Sequence, residues 1–364
     1  MTPITQITEL ARAILADSPS DADVESAISK AVDLVYEQGG SSRDWDESTI
    51  RKSVESALLG YGSLQEIIQD PEIEEIWINS PDRVFISKNA ETTQLHLGLD
   101  GLAVRQAVEK MLRDSGRRLD RSEPFVDATL ANGSRLHVVI PDVTRENWAV
   151  NIRKFPSTVL KMSDLVNRNS LTHELAEFIK SQFHLGKNIL ISGATQAGKT
   201  TVLCALLEES KLGDRLISIE ETFEVRTSHF DWVAMQSRQA NLEGVGEITL
   251  RRLVREALRM RPTRLIIGEV RQAEALDLLI ALNSGIAGIC TIHANSALDA
   301  IEKLKLLPLL AGENIPAKFV SETVQRTIDV VVHAKMDDFG KRKIAEVLVA
   351  SRGIGTNGWE RVQL

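Results

Sequence analysis

Cysteine and aromatic residues are scarce in this sequence of 364 residues. The two cysteines, Cys204 and Cys290, lie far apart, each inside an apolar segment. This excludes a framework of several disulfides and favours a reducing compartment. Phenylalanine, tryptophan and tyrosine together make up only 4% of the chain. We therefore expect hydrophobic cores that are built from aliphatic side chains.

Long hydrophobic runs are missing as well. No stretch reaches the roughly 18 consecutive apolar residues that a membrane span requires. The first residues, MTPITQITELARAILADSPSD, have no basic segment ahead of the apolar ones, unlike a secretory signal peptide. These absences predict a cytoplasmic protein that works at a membrane only through partners.

The sequence also lacks an excess of positive charge. Its formal net charge is −8, which argues against a general nucleic-acid-binding role, although a local basic patch is still compatible with it. The apolar content of 43% and the charged content of 26% are ordinary for a soluble globular protein. The length allows about two domains.

A glycine-rich loop stands between an apolar run, NILIS, and an apolar-periodic segment, VLCALLEES. This order of strand, loop and helix is the context that a phosphate-binding loop requires. Gly193, Gly198, Lys199 and Thr200 fill the spacing G-x-x-x-x-G-K-[ST]. A glycine turn that ends in Lys-Thr by chance is the alternative, and the flanking strand and helix argue against it. The predicted nucleotide-binding loop comprises Gly193, Ala194, Thr195, Gln196, Ala197, Gly198, Lys199, Thr200 and Thr201.

Each position of this loop has a chemical task. The glycines let backbone N–H groups turn towards the phosphates without interference from a Cβ atom. The N-terminus of the following helix adds partial positive charge at the same place. In such loops the lysine, here Lys199, reaches the β- and γ-phosphates, and the hydroxyl of Thr200 binds Mg²⁺. The sequence therefore predicts a site for a nucleoside triphosphate with Mg²⁺.

The pattern of apolar residues divides the chain into four parts. Residues 1–60 show helical spacing and predict a helical subdomain that packs on the rest of the chain or on a partner. Residues 61–155 combine strands with one amphipathic helix and predict a small α/β domain. Residues 156–171 begin with proline, carry few periodic signals and predict a linker. In residues 172–364 helices alternate with short apolar strands, which predicts a parallel sheet with helices on both faces.

Acids and a histidine follow three of these apolar strands. Glu220 follows RLISI, Glu269 follows RLIIG, and His293 ends GICTIH. Ligands of such sheets bind at the carboxyl ends of the strands. Acids beside a polyphosphate are unfavourable unless a metal ion lies between them or one acid activates water. We predict Glu269 as the water-activating base, Glu220 near metal-bound water, and His293 as a sensor of the γ-phosphate. For Glu224, which follows the same strand as Glu220, a direct role and an ordinary place on the surface fit the sequence equally well.

Two groups of arginines are further candidates. Arg255 and Arg259 stand four residues apart on a helix, where a solvated face and a subunit boundary are both compatible with the pattern. Arginines also bracket a predicted hairpin at Asn132-Gly133. A single arginine is usually a solvated charge, but several beside a triphosphate-binding domain raise the chance that one or two reach phosphate. The second group, around the hairpin, consists of Arg117, Arg118, Arg135 and Arg153.

Four segments together resemble a known family. GATQAGKTT, ISIEETFEVR, LVREALRMRPTRLIIGEVR and TIHANSALDAIEKL are similar to the Walker A motif, Asp box, Walker B motif and His box of the type II/type IV secretion traffic ATPases. IEEIWINSPDRVFI, GRRLDRSEPFVDATLANGSRLHVVIP and NIRKFP are similar to the CpaF branch, which assembles tight-adherence (Flp) pili. The resemblance extends from about residue 60 to about residue 350.

The resemblance implies a fold and an activity. The fold is α/β, a RecA-like P-loop ATPase domain with a smaller N-terminal α/β domain and an N-terminal helical segment. The family implies a ring of six subunits that hydrolyses ATP with Mg²⁺. Motion between the two α/β domains then drives pilus assembly or export through an inner-membrane platform protein. Such a motor is cytoplasmic, associates peripherally with the inner face of the membrane, and is not expected to bind nucleic acid directly.

The resemblance also implies roles for single residues. The boxes assign Lys199, Thr200, Glu220 and Glu269 to binding or cleaving ATP–Mg²⁺, and they make His293 the histidine of the His box. Two arginines of the N-terminal domain match family arginines that approach the γ-phosphate, namely Arg135 and Arg153.

The sequence departs from the family pattern at three points. Glu221 stands where the Asp box usually has aspartate, and Gly268 precedes Glu269 where the Walker B motif usually ends in Asp-Glu. A four-cysteine zinc module is missing, so we expect no structural metal. Two competing functions are a RecA-like nucleic-acid motor and a nucleotide-binding regulator that does not hydrolyse. The acidic net charge argues against the first, and the intact Lys199, Thr200 and Glu269 argue against the second.

Overall fold

A computed structural model describes most of the chain in two compact units, Met1–Pro156 and Ser157–Leu364. The described residues are 3–17, 24–37, 60–88, 91–155, 159–238, 240, 244–353 and 356–363, with single positions between 48 and 58. Each unit has its own hydrophobic core.

The first unit begins with helices. α1 (Pro3–Asp17) and α2 (Val24–Glu37) pack through the apolar stripe that the sequence predicts. The described positions between 48 and 58 are also helical, and Ile50 and Val54 are buried with this pair. The sequence also predicts a helix over about residues 46–59, and its remaining positions lie outside the described residues. The buried contacts of α1 and α2 come from Ile7, Ala11, Ile28, Ala31, Val32 and Val35.

An antiparallel sheet forms the rest of the first unit, with the strand order β3-β2-β1-β6-β5-β4. One face of this sheet buries its aliphatic side chains against the helix α4. The predicted hairpin is present at Asn132-Gly133, where the Leu130 amide donates to the Ser134 carbonyl. The elements are β1 (Ile73–Ser80), β2 (Arg83–Lys88), β3 (Glu91–Leu95), β4 (Phe125–Thr129), β5 (Arg135–Val139), β6 (Ala149–Arg153), a 3₁₀ turn (Gly62–Leu64), α3 (Gln65–Gln69) and α4 (Gly101–Asp114).

The segment predicted as a linker, residues 156–171, is mostly part of the second unit. Helix α5 (Met162–Asn167) buries Met162 and Leu165 in the core of that unit. Leu171 is buried in the same cluster. The sequence shows no sign of this helix, because a helix of one and a half turns is too short to produce a periodic pattern.

A second sheet forms the centre of the second unit, with the order β14-β13-β12-β7-β11-β10-β8-β9. The strands from β9 to β12 in this order pair in parallel, which confirms the predicted parallel sheet. β13 and β14 extend it as antiparallel strands. The strands are β7 (Ile189–Gly193), β8 (Leu216–Glu220), β9 (Trp232–Gln236), β10 (Arg264–Ile267), β11 (Ala287–His293), β12 (Val330–Met336), β13 (Arg342–Gly353) and β14 (Thr356–Arg361).

Helices cover both faces of this sheet. Leu265 and Ile267 of β10 are buried in one hydrophobic cluster, whereas Ile266 between them is buried in the other. A strand that is buried on both faces has no polar face, and this explains why the sequence shows continuous apolar runs. The helices are α6 (His173–His184), α7 (Lys199–Leu207), α8 (Leu250–Ala257), α9 (Glu274–Asn283), α10 (Ala297–Leu306) and α11 (Ala317–Thr327), with 3₁₀ turns Leu258–Met260 and Leu307–Ala311.

The two cysteines are buried thiols on opposite faces of this sheet. Burial raises the pKa of Cys204 and of Cys290 to about 12, so both side chains are neutral packing groups. Within the described ranges, no helix combines the length and the hydrophobicity needed to cross a bilayer.

Candidate active site

The phosphate-binding loop leaves β7 at Gly193 and enters α7 at Lys199. A Cβ atom at Gly193 would lie 2.4 Å from the carbonyl oxygen of Ala334, so only glycine fits there. Gly198 precedes α7 in a left-handed conformation with φ +91°, which glycine adopts without strain. Gln196 is also left-handed, with φ +62°. The loop thus has its glycines where the backbone requires them.

The lysine of the loop points back into the protein. Lys199 is buried, and its Nζ donates to the Ala194 carbonyl over 2.9 Å. The same Nζ lies 3.1 Å from Nδ1 of His293. Lys199 therefore links the loop to the end of β11.

The remaining loop residues form a mostly open edge. Ala194, Thr195 and Gln196 are exposed, whereas Ala197 is buried. Thr200 Oγ1 donates to Glu224 Oε2 over 3.4 Å, and Thr201 is half-buried in the first turn of α7. The structure thus places the hydroxyl of Thr200 beside an acid, as a metal site at this position requires.

A chain of hydrogen bonds continues from the lysine across the strand ends. His293 Nε2 lies 3.1 Å from Glu269 Oε1. Arg271 binds both oxygens of Glu269, with Nε at 2.7 Å and Nη2 at 3.0 Å, and its Nη1 donates to Glu221. The order Lys199–His293–Glu269–Arg271–Glu221 alternates donors and acceptors. The sequence places Glu269 and His293 at strand ends, but it gives no signal for the part that Arg271 plays.

His293 is neutral in this chain. Burial, and after it the charge of Lys199, lower the pKa of His293. A neutral ring with its proton on Nε2 accepts from Lys199 at Nδ1 and donates to Glu269, so this tautomer is assigned from the network. Histidine is suited to this position because one ring serves both neighbours.

The two predicted catalytic acids differ in their surroundings. Burial opposes ionisation of Glu269, but the hydrogen bonds and charge of Arg271 outweigh it, and the pKa of Glu269 is lowered. Both carboxylate oxygens of Glu269 already accept from neighbouring side chains. Glu269 is therefore a carboxylate that is held in place and is a weak base.

Glu220 has the opposite character. It is 2% exposed, and burial raises its pKa to about 7. Its Oε2 accepts from the amides of Glu224 and Val225, both at 2.7 Å. Its Oε1 is buried and finds no hydrogen-bond partner in the described part of the chain. One oxygen is thus fixed by two amides, and the other is a buried acceptor without a partner among the described residues.

The structure explains why glycine rather than aspartate precedes Glu269 in the Walker B motif. A Cβ atom at this position would lie 2.8 Å from Cγ of Glu220. An aspartate before Glu269 would therefore collide with the buried acid on the neighbouring strand β8.

The site offers oxygen atoms for a divalent ion. The Thr200 hydroxyl, the Glu224 carboxylate and Glu220 Oε1 are hard donors of the kind that Mg²⁺ prefers. No group of three or more histidine, cysteine or acidic side chains that could hold a metal occurs among the residues the structure describes. A Mg²⁺ ion that is bound with a nucleotide needs only one or two protein ligands, because phosphates and waters supply the rest.

Two of the four candidate arginines of the first unit lie side by side. Arg135 on β5 and Arg153 on β6 are direct partners across the strands. Arg135 donates to Oδ1 of Asp127 from Nε and Nη2, at 3.3 and 3.1 Å. The guanidinium of Arg153 lies 5.7 Å from the centre of the Phe155 ring. A phosphate contact by Arg135 would thus require it to exchange an existing carboxylate partner.

The arginines of α8 have structural partners. Arg255 Nε donates to Oδ1 of Asp277 over 2.7 Å, and Arg251 Nε donates to its other oxygen over 2.6 Å. Asp277 is buried on α9, so this clamp joins two helices. Arg259, in the 3₁₀ turn that follows α8, pairs with the exposed Glu256 at the end of α8 over 3.3 Å. The side chain of Arg255 is still 63% exposed, so it binds Asp277 from a solvated face, and a role at a subunit boundary stays a prediction.

Comparisons with known proteins agree with this geometry. The family described as type II/IV secretion system protein matches residues 58–354. A putative conjugal transfer protein of Mycobacterium tuberculosis is 31% identical over 311 residues, which cover 83% of this chain and 88% of that protein. The type IV secretion system protein VirB11 of Bartonella henselae is 28% identical over 339 residues, which cover 81% of this chain and 93% of the relative.

A solved structure shares the fold. The ATPase DotB of Legionella pneumophila is 18% identical, with a TM-score of 0.57 over 85% of this chain and 82% of that one. This likeness supports the two-part α/β architecture with a RecA-like ATPase fold in the second unit. Together with the family match and the phosphate-binding loop, it shows that the chain belongs to the type II/IV secretion system protein family and is an ATPase.

Proposed function

We propose that this ATPase is a hexameric motor that powers pilus assembly or type II/IV secretion. The observation that carries the proposal is the hydrogen-bonded chain from Lys199 to Glu221. It connects the phosphate-binding loop to the ends of three strands, so a change at the loop is passed to several elements at once. A motor needs such a connection, whereas a static nucleotide-binding site does not.

The contacts of Lys199 would change when a triphosphate binds in the loop. Its ammonium group now donates to the Ala194 carbonyl and to His293. A triphosphate in the loop competes for the same ammonium, because its negative charge is a stronger partner than a carbonyl or a neutral ring. His293 then loses a donor at Nδ1, and its contact with Glu269 changes. The loss of the γ-phosphate restores the first arrangement.

The surroundings of the two acids favour Glu220 as the general base. A base is most effective when its pKa lies near the working pH, and the pKa of Glu220 is about 7. Its Oε1, which has no partner in the described part of the chain, is the atom that would accept the proton of the attacking water. Glu269 holds His293 and Arg271 instead. This assignment reverses the roles that the sequence predicts for the two acids.

ATP and Mg²⁺ are the proposed substrate and cofactor. Thr200 and Glu224 would hold the ion, with Glu220 beside its bound water. Bound Mg²⁺ supplies positive charge to the β- and γ-phosphate oxygens. The residues of the loop, from Gly193 to Thr201, would bind the phosphates, and Arg135 and Arg153 are proposed as further contacts of the γ-phosphate.

The partners follow from the family. Its members and the relatives named above belong to secretion and conjugal transfer systems. We therefore propose work at the cytoplasmic face of the membrane, driven through an inner-membrane platform protein. The resemblance of the first unit to the CpaF branch favours assembly of tight-adherence pili.

Steady-state ATP hydrolysis with light scattering tests this function. We expect a large ring that hydrolyses ATP and is not stimulated by DNA. Glu220→Gln should bind ATP but stall. DNA-stimulated hydrolysis would support a nucleic-acid motor, and a wild-type protein that binds ATP without turnover, alone or with membranes, would support a regulator.

A further inference from the structure

A residue outside all four family boxes contacts the phosphate-binding loop. Arg342 opens the strand β13 and donates from Nε to the Gln196 carbonyl over 3.0 Å. The two residues are 146 positions apart in the sequence. A second loop carbonyl, that of Ala194, is held by Lys199 in the same way. Cations therefore fix two of the carbonyl groups of the loop.

The contacts of Arg342 fall at two of the three loop positions with positive φ angles. Gln196 has φ +62°, a conformation that costs energy for a residue with a Cβ atom. Its carbonyl is the one that Arg342 binds. At Gly198, with φ +91°, a Cβ atom would lie 3.5 Å from Cδ of Arg342, so the aliphatic stem covers this glycine. One side chain thus supports both positions.

The turn before Arg342 is itself well ordered by hydrogen bonds. Asp337 Oδ1 accepts from the amides of Phe339 and Lys341, at 3.1 and 2.9 Å. The Asp337 amide donates to the Lys341 carbonyl over 2.9 Å. The strand before this turn, β12, pairs with β7, and the last pair of residues is Ala334 with Gly193. The hairpin of β12 and β13 is thus attached to the strand that carries the loop.

We propose that Arg342 is a positioning residue that holds the loop in its phosphate-receiving conformation. The inference deepens the proposed function at the same site. By fixing the Gln196 carbonyl, Arg342 keeps the left-handed turn in place before nucleotide arrives. The nucleotide then does not have to order the loop, and binding is tighter as a result.

Nucleotide affinity of the full chain tests this role. We expect Arg342→Gln to raise the Kd of a fluorescent ATP analogue and of an ADP analogue about fivefold to tenfold, the effect of one hydrogen bond of ordinary strength at an exposed position. The kcat at saturating ATP should change less than about twofold, because the contact is made equally in both states. Arg342→Lys keeps a donor and should recover most of the affinity.

Arg352 supplies a matched control on the same strand. Its Nε also donates to a backbone carbonyl, that of Gln325, over 3.1 Å, and its other nitrogens bind the Ile328 carbonyl and Asp329, all outside the loop. Arg352→Gln should leave the Kd of both analogues unchanged. If Arg342→Gln leaves the Kd unchanged while wild type hydrolyses ATP, the inference fails and the proposed function stands.

A second substitution separates positioning from direct contact with phosphate. Gln196→Gly keeps the carbonyl but removes the cost of the left-handed conformation. If Arg342 holds this conformation, its loss should matter less in the Gln196→Gly background, with a change in Kd below about twofold. An equal change in both backgrounds would mean that Arg342 acts on the nucleotide itself, and it would overturn the proposal.

Discussion

Gly268, directly after β10, lies so close to Glu220, at the end of the neighbouring strand β8, that a Cβ atom at Gly268 would be 2.8 Å from Cγ of Glu220. The glycine therefore gives the buried acid its position. Gly268 thus belongs to the active site because it has no side chain, although it has no proposed contact with the nucleotide.

Gly268→Ala should move Glu220 and reduce turnover. We expect kcat to fall by about tenfold or more, with ATP affinity within about threefold of wild type, because a shift of the base affects the transition state alone. The measurement is steady-state hydrolysis combined with nucleotide titration. Gly213→Ala is the control, since no atom lies within 4 Å of a Cβ there. Full activity of Gly268→Ala would show that the position of Glu220 does not matter for catalysis.

The raised pKa of Glu220 predicts a pH dependence of stability. Burial raises this pKa from its ordinary value of 4.5 to about 7. The folded protein then binds the proton more tightly than the unfolded chain, so this stabilisation is complete below about pH 4.5 and is lost as the pH rises through 7. Relative to Glu220→Gln, wild type should lose about 2–3 kcal/mol of unfolding free energy between pH 5 and pH 8.

Urea unfolding of both proteins across this pH range makes the comparison. Glu269→Gln is the matched control, because the pKa of Glu269 is lowered. Its stabilising contribution is present above the unfolded pKa and is lost only as the pH falls through the folded value. A constant difference between wild type and Glu220→Gln from pH 5 to pH 8 would contradict the raised pKa.

The clamp on Asp277 predicts a stability effect away from the nucleotide. Asp277→Asn removes a buried carboxylate that binds Arg251 and Arg255 at once. We expect a loss of about 1–2 kcal/mol, moderated because both arginines are partly exposed and regain water. Glu256→Gln breaks a pair on the exposed surface and should cost less than about 0.5 kcal/mol. Chemical denaturation measures both, and equal losses would show that the clamp adds nothing.

The outcome for the fold shows which features a sequence can reveal. The strands of the second unit were predictable because burial on both faces leaves continuous apolar runs, as in β10 with Leu265, Ile266 and Ile267. Helix α5 was not, because its two buried side chains, Met162 and Leu165, are too few to mark a period. The short edge strand β3 also leaves no clear pattern in the sequence, since its residues are mostly exposed and polar.

The site was predictable only in part, for a different reason. The phosphate-binding loop and its following lysine and threonine are contiguous, so spacing alone identifies them. Glu220, Glu269 and His293 could be placed together because parallel strands end at one edge of a sheet. Their roles depend on neighbours such as Arg271, whose contacts no pattern encodes. Arg342 lies 146 positions from its partner Gln196, and only the folded sheet brings the two together.

His293 joins Lys199 to Glu269, and its substitution tests the motor mechanism. His293→Ala removes both contacts but leaves the loop intact. Lys199 loses a competing partner, so ATP affinity should stay within about threefold of wild type. The kcat should fall by about 10- to 100-fold, because the loss of the γ-phosphate is no longer passed to Glu269 and Arg271.

Separate measurements of ATP binding and single-turnover hydrolysis distinguish this effect from a general defect. His184→Gln is the control, because the ring of His184 binds the Glu209 carbonyl, near the opposite ends of the strands. His293→Gln can accept from Lys199 or donate to Glu269, but a single amide reaches both less well than an imidazole ring, so partial activity is expected. If His293→Ala binds and hydrolyses ATP like wild type, the hydrogen-bonded chain does not transmit the nucleotide state, and the switch must lie in other contacts of the loop.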